Sequence, residues 1–232
     1  MNISANAMWY DNLPGEKAWS RLWYDYTICG RCRGIRASGA CPICGDPPFD
    51  MKPMTVRDER GKEYVVHQPQ MGAEGRYEDW IYLRMMEREW KRPIPPDEDL
   101  GLPGSQPSPR ASIVLLFWSY FETRIERLLR AGLADVPERL LEDNLRRYSM
   151  IGARLNDFYR VAFDATYKKD LEDLGHGVIW AHLAKVQKHR NDFAHGQPQA
   201  IDDSLGQSVV ENLKLEHEAW IAVFNKRATR VT

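Results

Sequence analysis

Apolar positions recur at two different periods along this chain of 232 residues, and the change of period divides it. Thr55-Val56-Arg57 and Glu63-Tyr64-Val65-Val66-His67 are short β-prone runs. The Asp58–Lys62 turn between them contains Gly61, so the pair predicts a hairpin. From Tyr77 to Lys91 the period lengthens. Trp80, Leu83, Met86 and Trp90 fall at helical spacing, and Arg92-Pro93 ends that helix. Residues 93–109 hold six prolines and predict a linker or extended loop.

Beyond Arg110 the helical period dominates. Ala111–Ala131 carries Val114, Phe117, Trp118, Phe121, Ile125 and Leu128 on one stripe. A second helix is expected to start near Asp135-Val136-Pro137-Glu138, with Asp135 as N-cap, and to run to about Arg147. A third spans roughly Ile151–Leu171. A fourth covers about Val178–Phe193 with Val178, Trp180/Ala181, Leu183/Ala184 and Val186 inward. A fifth runs from about Leu205 to Lys226, opened by Asp202-Asp203-Ser204. Short connections between such helices predict a bundle. The expected fold is mainly α: a C-terminal bundle of four or five helices, preceded by a small four-cysteine ribbon and hairpin. The expected division is residues 1–92 for the ribbon, hairpin and following helix, 93–109 for the linker and 110–232 for the bundle.

Composition changes this picture little. Net charge is −1, so no global basic field announces a nucleic-acid binder, and any such contact must come from local patches. The most apolar stretch, Ile113–Tyr120, is too short to span a bilayer. The N-terminus lacks a basic stretch followed by an apolar core, so a cytoplasmic, membrane-free protein is expected. Residues 1–28 are rich in Trp and Tyr (Trp9, Tyr10, Trp19, Trp23, Tyr24, Tyr26) and are expected to pack around the cysteines or onto the bundle.

Cysteine spacing carries the first chemistry. Cys29-Gly-Arg-Cys32 is followed after eight residues by Cys41-Pro-Ile-Cys44. Each CxxC turn offers two thiolates to one face of a tetrahedral ion, so the four predict one structural Zn²⁺ with no open position. Two disulfides or an iron–sulfur cluster are the alternatives. Gly30, Gly34, Gly39 and Gly45 are expected to supply the tight backbone. The unit resembles a zinc ribbon of the rubredoxin-knuckle kind. Between Cys29 and Gly45 stand Arg31, Arg33 and Arg36 and no acid, a local charge of +3 suited to phosphate.

The second chemistry lies at the end of the fourth helix, in Arg190-Asn191-Asp192-Phe193-Ala194-His195-Gly196. Asn191 and His195 are four residues apart and share a face. Arg190 and His195 are about 140° apart on an ideal helix, so they converge only if the end of the helix reshapes. Gly196-Gln197-Pro198 marks such an end. Cleavage of RNA by its own 2′-hydroxyl needs a proton-transfer group working near neutrality and a bidentate cationic donor for the phosphoryl oxygens. Histidine and arginine are residue types with those properties. On the same helix Lys185 and His189 are candidates for lining an RNA path. His182 is expected on a solvated basic face near Lys185 and Lys188, His176 in a loop, and His217 at the surface or in packing.

The pattern RNDFAHG, late in a helical bundle, resembles the signature of the HEPN superfamily, an Arg and a His separated by four to six residues. The opening helix, with Phe117-Trp118-Ser119-Tyr120-Phe121-Glu122-Thr123-Arg124-Ile125-Glu126, is similar to the first helix of many such domains. The resemblance covers roughly residues 110–228. It implies a metal-independent endoribonuclease of toxin–antitoxin or antiviral defence type, working as a homodimer and held by an antitoxin or defence-system partner. It also implies a catalytic set of Arg190, Asn191 and His195, with Glu122 bracing Arg190. HEPN toxins paired with a minimal nucleotidyltransferase often carry a tyrosine two residues after the His, where this chain has Gln197. The ribbon is not part of the family pattern. A non-catalytic sensor or binding module, with the ribbon gripping nucleic acid or protein, is the alternative.

Overall fold

The structure is a computed structural model that describes residues 27–29, 31–36, 40–47, 53–57, 61–67, 76–94 and 108–230. The aromatic-rich N-terminus and residues 95–107 of the expected linker lie outside the described residues. The chain divides into two compact units. One contains residues 1–77 and 229–232, the other residues 78–228.

The first unit holds two antiparallel strand pairs. β1 (Thr27–Ile28) pairs with β2 (Ile35–Arg36) across the first CxxC turn. β3 (Pro53–Arg57) pairs with β4 (Glu63–His67) in the register Pro53↔His67 to Arg57↔Glu63. The expected hairpin is therefore present, and His67 closes its second strand. Gly61, at φ +78°, supplies the left-handed turn residue.

The second unit is helical. α1 (Arg76–Lys91) is the helix expected beside the ribbon, but from Glu78 onward it belongs to the helical unit. Its Leu83 and Met86 are fully buried there. Asp79 takes a bidentate pair from Arg127 at 2.8 and 2.9 Å, and Arg110 lies over the Trp90 ring. α2 (Ala111–Gly132) meets α1 through the Asp79–Arg127 ion pair and through the Tyr82–Tyr120 ring contact. α2 is the central helix, buried at Ile113, Val114, Phe117, Phe121, Ile125 and Leu128.

α3 (Glu138–Arg147) begins two residues later than expected. Pro137, not Asp135, is its N-cap, and its carbonyl accepts from the Leu140 and Leu141 amides with no side-chain cap. The single helix expected over 151–171 is interrupted. α4 (Ile151–Ala153) passes through a π-helical stretch, Arg154–Phe158, into α5 (Tyr159–Phe163). Asp164, left-handed at φ 52°, ends it, and Thr166 caps α6 (Tyr167–Asp173) by accepting from the Lys169 amide at 3.2 Å. Arg154 ties the π stretch down, donating to the Tyr148 carbonyl and to Glu126, each at 2.9 Å.

α7 (Gly177–Ala194) and α8 (Asp203–Ala228) complete the unit. The inward face of α7 is Ile179, Leu183 and Val186. Val178, expected to be inward, is 66% exposed, because the apolar stripe runs one position later. Asp202 opens α8 by accepting from the Leu205 amide at 2.8 Å. Among the described residues no helix is long and apolar enough to cross a membrane.

Candidate functional site

The four cysteines come together. Cys29, Cys32 and Cys41 are buried, Cys44 is partly so, and their sulfurs lie within 4.8 Å of one another. Cys29 Sγ is 3.7 Å from Cys44 Sγ, and Cys32 Sγ is 3.6 Å from Cys41 Sγ. Four thiolates around a tetrahedral ion at a Zn–S length of about 2.3 Å stand roughly 3.8 Å apart, so the cluster fits a metal bound by sulfur alone. Burial pushes the Cys32 thiol up, so a cation in the cluster is what would hold it as thiolate.

Both turns are built the same way. The Cys29 amide donates to the Gly34 carbonyl and the Cys41 amide to the Asp46 carbonyl, each at 2.8 Å. The Arg33 amide donates to Cys29 and the Gly45 amide to Cys41, each at 2.9 Å. The residue after the second cysteine of each pair is left-handed, at φ 61° for Arg33 and φ 69° for Gly45. Sequence placed glycines at these tight points, yet the first turn uses an arginine. Arg31 and Arg33 are exposed, while the Arg36 side chain lies outside the described residues. The C-terminal residues join this unit too, because the Arg230 amide donates to the Cys32 carbonyl at 2.8 Å.

The end of α7 is the second candidate. His195 is its C-cap, and Gly196 at φ 89° turns the chain away. The Gly196 amide donates to the Phe193 carbonyl and the Gln197 amide to the Asp192 carbonyl, which makes a Schellman closure. This exposes His195 on a fixed helix end. Arg190 is half-buried, and its Nη1 donates to Asn191 Oδ1 at 3.2 Å. Among the described residues no carboxylate pairs with Arg190. Glu122, expected to brace it, makes no ion pair with it: the partner within reach is the amide of the next residue.

Two other histidines of the bundle have partners. His189 is half-buried, and its Nδ1 meets the Ala200 carbonyl at 2.7 Å, tying α7 to the Pro198–Ala200 turn. Lys185 and Lys188 are exposed on that helix. His182, expected on a solvated face, is partly buried beside Phe117 and 3.5 Å from Ser208 Oγ. Burial and the nearby Lys185 lower it to about 4.

The polar group that sequence reasoning missed sits in the core. Arg124 is fully buried and donates to Glu216 at 2.8 Å. Its other nitrogen lies 3.1 Å from His217 Nδ1, and its guanidinium lies between Tyr120 and Trp220, 4.8 and 4.0 Å from their ring centroids. Burial, then Arg124, holds His217 well below the usual histidine range. A signal was available: Arg124 falls three residues after Phe121 and seven after Phe117, on the apolar stripe itself. No family profile, curated protein or solved structure matches this chain.

Proposed function

We propose that the helical unit is a metal-independent endoribonuclease of the HEPN type, and that the cysteine cluster is a structural zinc site. The observation that carries the first reading is the pairing at the end of α7. An arginine committed to no carboxylate is held by Asn191, and a histidine is exposed on the same helix end. The resemblance of RNDFAHG to the family signature supports the same assignment.

In this reading Arg190 holds the non-bridging oxygens of the scissile phosphate and stabilises the charge that builds on them. Asn191 fixes the guanidinium. His195 moves a proton as general acid or base. The RNA's 2′-oxygen bonds to phosphorus, the P–O5′ bond breaks, and the products are a 2′,3′-cyclic phosphate and a 5′-hydroxyl. Lys185 and Lys188 extend positive charge along the exposed side of α7 toward the site. A homodimer and a restraining antitoxin or defence partner belong to this reading as the family implies them. For the cluster, four sulfur donors within 4.8 Å of one another support zinc.

The test is cleavage of total RNA with mapped ends. Arg190→Ala and His195→Ala are each expected to lower the rate by at least about 100-fold, the usual weight of a proton-transfer group or an oxyanion donor. Brief chelation is expected to leave the rate at saturating RNA unchanged. Loss of cleavage at saturating RNA on chelation, with the helical circular dichroism intact, refutes the metal-independent mechanism. The alternative is a non-catalytic binding module. Intact RNA and equal growth in cells expressing wild type or His195→Ala would establish it instead.

A further inference from the structure

The two cysteine turns share a backbone and differ in side chains. Each has the same pair of amide-to-carbonyl bonds and the same left-handed residue after its second cysteine. The second turn, Cys41-Pro-Ile-Cys44-Gly45, carries no charge between its first cysteine and that residue. The first, Cys29-Gly-Arg-Cys32-Arg33, carries two arginines. Glycine enters the left-handed region without steric cost and fills it in the second turn. Arg33 occupies it at φ 61° although its Cβ disfavours that region. A disfavoured residue at a position whose structural twin is glycine needs a reason outside the backbone.

The side chains point to that reason. Arg31 and Arg33 are both exposed. Among the described residues, neither forms an ion pair and neither bonds to a cysteine sulfur. They therefore do not serve as hydrogen-bond donors to the cluster. They stand two residues apart on a turn closed by two backbone hydrogen bonds, so little backbone order remains to be lost on binding. Arginine forks match the geometry of phosphate oxygens. We infer that the first cysteine turn is a phosphate-binding tip that grips the phosphodiester backbone of single-stranded RNA through Arg31 and Arg33. The choice of RNA rests on the ribonuclease reading of the helical unit; the phosphate grip itself rests on the turn alone.

Binding is measured by fluorescence anisotropy on the full-length, metal-loaded protein. The probe is a labelled 2′-O-methyl RNA strand, which lacks the attacking hydroxyl, so the outcome does not depend on cleavage. Replacing both residues, Arg31→Ala with Arg33→Gly, is expected to weaken binding roughly tenfold. It is also expected to reduce the slope of log affinity against log salt by about 1.4, near 0.7 for each single-strand phosphate that an arginine no longer neutralises. Arg139→Ala with Arg146→Ala removes equal charge from exposed positions of α3 and is expected to leave binding within twofold. Equal losses from the two double variants would reduce the effect to net charge and overturn the inference. So would unchanged binding in the Arg31/Arg33 variant. Arg33→Gly alone is expected to retain metal as well as wild type or better; faster metal loss would make Arg33 a structural part of the turn and end the proposal. Binding of a DNA strand of the same sequence with none to the RNA strand would overturn RNA as the ligand.

Discussion

Arg124 shows how one residue in the bundle can look ordinary in sequence and act differently in the fold. On α2 it reads as one cation among several, yet it is fully buried and meets Glu216 and His217 across the core. Removing one member of such a group leaves a buried charge uncompensated, which is why its parts are expected to be far less tolerant than surface pairs such as Lys169–Asp173. His182 allows a direct test of burial at this scale. Its folded form holds a proton only below about 4, whereas an unfolded histidine takes one near 6.5. The unfolded chain therefore binds more protons in that window. Stability is full above 6.5 and falls as pH drops from 6.5 toward 4. Replacing His182 with Gln is expected to flatten the pH dependence of unfolding by roughly 1.4 kcal/mol per pH unit there. Urea melts at several pH values check this, and an unchanged slope would show that His182 is protonated in the folded protein. His217, held low by burial and Arg124, would keep a similar dependence of its own.

At the scale of the element, the end of α7 is a small device. The last turn closes with two Schellman bonds around Gly196, and His195 is the cap they fix. No atom lies within 4 Å of a Cβ built at Gly196, so Gly196→Ala meets no clash and changes only the backbone preference at φ +89°. The expected cost is about 1–2 kcal/mol, read by thermal or urea unfolding. If His195 works from this closure, RNA cleavage falls further than the small loss of folded protein explains. A stability loss with full cleavage would mean that His195 needs no fixed helix end. The same scale explains where the sequence was legible. The long helices show clear apolar periodicity, and their bounds fall within a few residues of expectation. The 151–171 stretch does not, because its break depends on a left-handed Asp164 and on Arg154 reaching Glu126 and Tyr148. Neither feature changes the period of the apolar residues. The spacing of Arg190 and His195 was legible in the sequence, but the hydrogen bond of Arg190 to Asn191 instead of Glu122 was a matter of reach.

For the whole molecule, the chain ends belong to one unit and the middle to the other. Thr229 and Arg230 belong to the cysteine unit, where the Arg230 amide bonds to the Cys32 carbonyl. Removing residues 229–232 deletes that bond. At about 1 kcal/mol for a hydrogen bond, metal release to a chromogenic chelator is expected to speed up roughly fivefold, with helical circular dichroism unchanged. Release at the wild-type rate would show that the tail contributes nothing to the cluster. By itself the sequence determined the features encoded locally: the metal-type cysteine spacing, the hairpin, the main helices and the basic character of the first turn. Each depends on residues within a few positions of one another, where period and spacing suffice. The tertiary structure decided what depends on partners distant in the chain. It placed α1 with the bundle, because Asp79 meets Arg127 and Tyr82 meets Tyr120 there. It buried Arg124 against a carboxylate 92 residues away. It returned the tail to Cys32 and set Arg33 in a left-handed turn where glycine was the local expectation.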